Sequence, residues 1–462
     1  MKKVIIFLLV AGIAFILVPE NASAIPAFSR QTGMACDSCH FSHYPLLTRF
    51  GRAFKDSGYT LMGTQGLIEG KYLSIPVVMN ASAQLKAIAQ VSADGPDNTT
   101  SSAGRLSKGQ IQFPQDVALF VGGRLGNEVG YFWEMSMMDG DFNNRFSAFR
   151  VPIGITKYKT RFQAVPFTTD ADGPAYGYET LNAGVLRQAL LNFDSTAFGY
   201  LKTNMYPGGS LYSAQLKNTF NTFAPDAAMG VAFVISRPLW YLNYTPWKNV
   251  HGAGDNQPLN TNHWGTYLRA ALTPEWRGWD LGVGINYETG TMEYFNNSDV
   301  STGGDNPGLP NLPRNRAQLL GFDAQAQKIV NGMPVGIYAS FAHAPASSYS
   351  IVNGVLVGTP NAYNATGTKP MQAFAINGEV GILPQKLVLG TGIRVGHNGD
   401  PASLGVESDN SYTVQAAYYM YQNIGLILNE EAFFGNGARA LAASKNQPFN
   451  PSTTSLQLRI IF

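Results

Sequence analysis

Cys36 and Cys39 stand three positions apart with His40 directly after them, in the run Cys36-Asp37-Ser38-Cys39-His40. That spacing lets two thiols join the two vinyl groups of one haem, while the adjacent imidazole falls onto its iron. Two other chemistries use the same residue types. Structural zinc needs two further Cys or His ligands at matched spacing, yet the chain holds only 2 cysteines, and His43, His251, His263, His343 and His397 are scattered. A dithiol redox pair belongs in a βαβ context and has no need of the trailing histidine. The motif therefore predicts one covalently bound haem c, attached at Cys36 and Cys39 and ligated by His40.

The ligand for the opposite haem face is less tightly specified. His43 follows His40 by three residues, too close to cross the ring. Met62, in Gly58-Tyr59-Thr60-Leu61-Met62-Gly63, lies far enough along for the chain to loop over. It is the candidate second iron ligand, with Met79 and Met34 in reserve. A sulfur ligand raises the potential relative to two imidazoles.

The surrounding elements fix where such a haem would sit. Lys2 and Lys3 precede an apolar run from Val4 to Val18, and a polar stretch ends in Ala22-Ser23-Ala24. These are the charged region, apolar region and small-residue cleavage site of a signal peptide, residues 1–24. The run is about 15 residues, short of the ~20 that a spanning helix needs. Export agrees with haem c, which bacteria attach outside the cytoplasm.

Residues 25–75 form the expected haem segment, too small to fold without a cofactor or a supporting surface. Within it, Arg49 to Lys55 reads as a short basic helix ending at a Gly58 turn. Residues 76–462 read differently. Gly (49), Tyr (22) and Phe (27) are abundant, charged residues are 13%, and apolar alternation replaces helical periodicity. Leu281, Val283, Ile285 and Tyr287 oppose Gly282, Gly284 and Asn286. Leu389, Thr391, Ile393 and Val395 oppose Gly390, Gly392 and Arg394. Leu320, Phe322, Ala324 and Ala326 oppose Gly321, Asp323, Gln325 and Gln327. Each segment has an oily and a wet side.

A soluble sandwich would bury the oily side; a transmembrane barrel turns it to lipid. Three features favour the barrel. The segments recur to Phe462; long connections, Asp94–Gly109 and Asn296–Asn315, alternate with tight ones such as Gly126-Asn127; and aromatics gather at segment ends (Trp240, Tyr241, Tyr244 and Trp247, then Tyr418, Tyr419 and Tyr421), as in interface girdles. The last segment, Thr454 to Phe462, alternates and ends on an aromatic, like the closing strand of outer-membrane barrels. The expected fold is mainly β: a C-terminal transmembrane antiparallel β-barrel of about 16 strands, with a small N-terminal c-type haem segment at its periplasmic mouth or inside its lumen. A net charge of +2 gives no reason to invoke nucleic acid.

The haem segment resembles that of the fused monohaem cytochrome–porins in the outer membrane of Fe(II)-oxidising bacteria. The likeness lies in Ile25-Pro26-Ala27-Phe28-Ser29-Arg30-Gln31-Thr32-Gly33, then Pro45-Leu46, Phe50-Gly51-Arg52, Phe54-Lys55 and Gly58-Tyr59; the barrel matches only in length, placement and pattern. The resemblance implies a single-electron oxidoreductase that oxidises extracellular Fe(II). Its electrons would pass through the haem to a periplasmic carrier, a cytochrome or copper protein. Glu134, Asp323 and Glu379 on wet faces would draw Fe2+ by their field, though no cluster has the spacing of an iron site. Two other readings share the architecture: electron flow outward to Fe(III) or another extracellular acceptor, and a diffusion porin carrying a haem plug.

Overall fold

The computed structural model describes residues 26–44, 46–92, 109–137, 146–169, 222–223, 227–250, 264–293, 295–296, 314–352, 355–359, 361, 369–397, 410–435 and 452–462. The predicted signal peptide and most of the two long connections named above lie outside these residues.

Alternation produces the wall. Antiparallel strands from Ala81–Ser92 to Ser452–Ile461 pair in sequence order and close on themselves. Closure runs from Thr453↔Ser92 to Ile461↔Gln84, and Ala83 and Phe462 exchange backbone hydrogen bonds of 2.7 and 2.9 Å beyond it. The terminal aromatic is thus part of the seam, as its position in the sequence predicts.

Two staves are broken. Phe146–Arg150 and Ile153–Lys157 both pair with Thr160–Thr169, and Gly265–Leu272 and Glu275–Trp276 both pair with Trp279–Glu293. Pro152 and Pro274 stand in the gaps, where a missing N–H interrupts the ladder. Counting each broken stave once gives a 16-strand barrel.

The wall has the polarity of a membrane barrel. Val283, Ile285, Phe322, Ile337, Ile376, Ile393, Val414 and Leu428 are exposed, whereas Asn286, Glu288, Gln325, Arg269, Arg394, Gln415 and Gln457 are buried. Only an oily exterior in lipid makes this arrangement favourable. Within the inward face, charges pair: Arg269 donates to both oxygens of Asp323 at 2.9 and 2.7 Å and to the Tyr241 hydroxyl at 2.6 Å.

The aromatic clusters split between the faces. Trp240, Tyr244 and Tyr418 share the outward parity, but Tyr241, Trp247 and Tyr419 are buried inside. Successive residues cannot both face lipid, so a run of aromatics supplies at most half a girdle. A further outward cluster forms at the rim: Arg277 lies 4.9 Å over Trp276, and Lys328 lies 5.7 Å over Trp279.

Tight turns lie at one end of the barrel. They include Tyr158-Lys159, Arg277-Gly278 and Asn331-Gly332, each with two consecutive positive-φ residues that match the twist of the strands they join. Gly332 (φ 79°) has the conformation that disfavours any Cβ.

Candidate functional site

The segment before the barrel forms three short helices, α1 (Ala27–Thr32), α2 (Cys36–Cys39) and α3 (Arg49–Asp56), then a hairpin of Leu67–Gly70 with Leu73–Pro76. The predicted basic helix is α3. Thr48 caps it, its Oγ1 accepting from the Gly51 N–H at 3.0 Å. Gly58 (φ 71°) makes the turn that follows.

The Cys-x-x-Cys run is one helical turn, with both cysteines free and half-buried. His40 leaves the turn extended, its N–H bonded to the Cys36 carbonyl at 2.8 Å. Its Nδ1 lies 3.1 Å from the Leu46 carbonyl oxygen. A carbonyl can only accept, so the proton belongs on Nδ1 and the lone pair on Nε2, the arrangement of a metal-ligating imidazole. Helix α3 abuts this turn closely: a Cβ on Gly51 would lie 2.1 Å from the Cys39 carbonyl oxygen.

Burial pushes the Cys36 thiol above its ordinary value, against a hydrogen bond with Ser29 that lowers it; burial, then the nearby Cys36, pushes Cys39 up. Redox-active Cys-x-x-Cys pairs work through a lowered thiol pKa. The shift here has the opposite sign. A pair of thiols on one turn, followed by an imidazole oriented through Nδ1, is compatible with attachment of a c-type haem.

Met62 lies in a stretch clamped to α1. Gln31 Nε2 donates to the carbonyls of Tyr59 and Leu61 at 2.7 and 2.8 Å, and the Gly63 N–H donates to the Gln31 carbonyl at 3.2 Å. Met62 is half-buried beside the helix whose Ser29 contacts Cys36. Phe28 packs the same unit together, stacked on Tyr59 at 5.0 Å and edge-on to Phe54 at 5.0 Å. Met79 is 68% exposed and Met34 38%, so Met62 is the least exposed of the three methionines.

Inward-facing residues hold this segment from all round the wall, at the end with the tight turns. Arg52 Nη2 donates to both oxygens of Asp280 at 2.7 and 2.6 Å, beside Arg49 at 3.2 Å. Asp56 accepts from Gln163 at 2.8 Å and Ser236 at 2.7 Å. Arg161 and Arg124 donate to the carbonyls of Ser57 and Thr60 at 2.9 and 3.2 Å. Arg459 donates to the Tyr44 carbonyl at 3.0 Å. These partners belong to staves spread round the closed ring.

His43 is the contact that sequence reasoning missed. It is 7% exposed; its Nε2 lies 3.0 Å from Glu379 Oε2, its Nδ1 2.7 Å from the Tyr44 carbonyl, and its ring stacks on Tyr419 at 5.8 Å. Proximity to His40 ruled it out as a second ligand but gave no hint of a partner 336 positions away. Of the acidic residues expected to attract cations, Glu379 is paired with His43 and Asp323 with Arg269. Among the described residues no group of three or more His, Cys, Asp or Glu is placed to hold a metal ion.

No family model and no curated protein matches the chain. Among solved structures it is similar to the outer membrane channel DcaP of Acinetobacter baumannii, at 13% identity over 86% of this chain and 100% of that one (TM-score 0.43). It is also similar to Pseudomonas putida OprB, at 9% identity over 93% and 100% (TM-score 0.47), and to Salmonella typhi OmpF in complex with daunomycin, at 11% over 86% and 100% (TM-score 0.43).

Proposed function

We propose that this protein is an outer-membrane channel-type barrel whose mouth is plugged by a segment bearing one c-type haem, and that it oxidises extracellular Fe(II). Single electrons then go to a periplasmic carrier, a cytochrome or copper protein. What supports this reading is the Cys36-to-His40 turn itself, with the His40 imidazole oriented through Nδ1, in a segment whose residues from His43 to Thr60 bond to inward-facing wall residues. Outer-membrane barrels keep their tight turns on the periplasmic side, which puts the segment within reach of soluble carriers.

In this reading Cys36 and Cys39 would hold the haem as thioethers, and His40 Nε2 and Met62 would be its iron ligands. Bound there, haem c supplies a one-electron iron couple. The chain does the rest. Leu46 fixes the His40 tautomer, Gln31 holds the Met62 stretch, and Asp280 neutralises Arg52 where the segment meets the wall.

The barrel by itself supports a second use better than it supports the first. A closed 16-strand wall with a polar inner face is the architecture of a diffusion porin, and only the haem motif and leader add redox chemistry. Electron flow outward, to Fe(III) or another acceptor, uses the same parts in reverse.

Mixing oxidised, haem-loaded protein with Fe(II) separates these uses. Reduced haem bands within seconds to minutes are expected; no reduction overturns the oxidase reading. Solute flux in liposomes is the companion measurement. Rapid flux through the full chain, unchanged when residues 26–66 are deleted, would make it a porin and the segment no plug.

A further inference from the structure

Neighbouring tight turns carry Lys157, Arg237 and Arg277, and Lys328 lies on the stave beside the third of them. All four sit on the lipid side of the rim. Lys157 follows the exposed Ile155 by two residues, and Arg237 follows the exposed Ile235 by two, so both share the outward parity. Lys328 is registered against Val335, two residues before the exposed Ile337. Arg277 lies between Trp276 and Trp279, which are registered partners, and Trp279 shares its parity with the exposed Val283.

The contacts of these cations leave their charge in place. Lys157 lies 5.5 Å over Tyr158, Arg277 4.9 Å over Trp276 and Lys328 5.7 Å over Trp279. A ring face holds a cation without neutralising it. Arg237 Nε donates to Thr160 Oγ1 at 2.8 Å, and Lys328 Nζ to the Arg277 carbonyl at 2.8 Å, both uncharged acceptors. Among the described residues none of the four forms an ion pair; Glu275, two residues before Arg277, lies 3.9 Å from Arg49 instead. The preceding tight turn shows the contrast. Its Arg124 reaches the Thr60 carbonyl at 3.2 Å and Ser74 Oγ at 2.9 Å, toward the N-terminal segment, and Glu128 stands on the same turn.

Four cations without anions, set among aromatics where acyl chains give way to water, specify a missing complement. It must carry negative charge and come to the rim from the side of the leaflet. We propose that this sector binds the phosphate of an anionic phospholipid in the periplasmic leaflet, with its acyl chains along the apolar staves below. Guanidinium and ammonium groups both suit phosphate oxygens. A zwitterionic lipid brings its own ammonium to a sector already rich in positive charge. An acidic soluble protein would meet the barrel end-on, whereas these side chains share their face with Ile155, Ile235 and Val283. The site belongs to the wall alone and is independent of the haem reading.

Native mass spectrometry of the full-length protein tests it, with release from neutral detergent holding equimolar phosphatidylglycerol and phosphatidylcholine. Phosphatidylglycerol should be retained about fivefold over phosphatidylcholine, the scale of one surface cation's attraction. R277Q/K328Q should remove most of that preference. K157Q/R237Q should lower it independently, which keeps the test decisive if the first variant misassembles. K386Q, at a turn outside the sector, should leave it unchanged. Equal retention of the two lipids by the wild type, or a preference that survives both double variants, overturns the site. Soluble glycerol phosphate in excess should not displace the lipid; displacement would make this a site for free phosphate and overturn the lipid assignment. Succinylated cytochrome c, an acidic protein, should not bind the bilayer-embedded chain. Binding that R277Q/K328Q abolishes would make the occupant a protein and overturn the proposal.

Discussion

In the wall, between Ala81 and Ile461, backbone pairing fixes position and the side chains need only respect an inside and an outside. In residues 26–66, position depends on single side chains meeting single partners: Arg52 with Asp280, Asp56 with Gln163 and Ser236, His43 with Glu379. Exchange of one oily residue for another should therefore perturb the wall less than loss of a named contact perturbs the N-terminal segment. A closed ladder carries its own register, and a short segment with little core borrows rigidity from the surface around it.

The sharpest break comes at the haem motif. C36A/C39A should abolish covalent haem altogether, read by haem staining after denaturing electrophoresis, while the barrel keeps its heat-modifiable mobility. Loss of the barrel as well would mean that the plug templates the wall. In wild-type protein free of haem, both thiols should react with a thiol reagent only as pH rises above the ordinary thiol range, because burial raises both. The haem-loaded protein should show no titratable thiol.

Next in size is the buried pair. H43L leaves Glu379 charged and unpaired inside the wall, which costs about 3–5 kcal/mol, and residues 26–66 should become sensitive to added protease. H43L/E379L should regain most of that protection. A double variant as sensitive as H43L would show that the pair does not seat the plug.

The wall has its own test. V414R places a charge on the outward face, where about 2–4 kcal/mol is lost at mid-bilayer. A denaturant titration in lipid measures this, and Q415R one position along should cost less. Equal losses would break the inside–outside assignment. The smallest effect on the wall itself is expected from G51A, whose Cβ would lie 2.1 Å from the Cys39 carbonyl oxygen and must push the third helix away from the Cys36–Cys39 turn. Overpacking of about 1–3 kcal/mol should lower haem incorporation severalfold without altering the wall.

Legibility in the sequence follows the same division. The alternation around Leu281, Leu320 and Leu389 predicts wall, parity and closure at Phe462, because period 2 is a local signal. The breaks at Pro152 and Pro274 went unread, although a missing N–H is a local signal too. The Arg49 helix was legible as structure, and the Cys-x-x-Cys-His spacing as a motif. Seating the plug was not: His43 and Glu379 look like any other polar residues until the ring closes and brings them together. Aromatic runs misled by half, Tyr419 turning inward to His43 while Tyr418 turns outward.

The contacts between the N-terminal segment and the wall also have a mechanical sense. A ring of 16 tilted staves is a hoop that flattens easily, since its backbone hydrogen bonds fix neighbouring strands and say little about opposite ones. Arg52, Asp56, His43 and Tyr44 join a central hub to well-separated points on that hoop. They act as spokes. With these contacts in place, any squeeze on the ring must stretch or compress an ion pair or a hydrogen bond of about 3 Å, so they stiffen the barrel's cross-section.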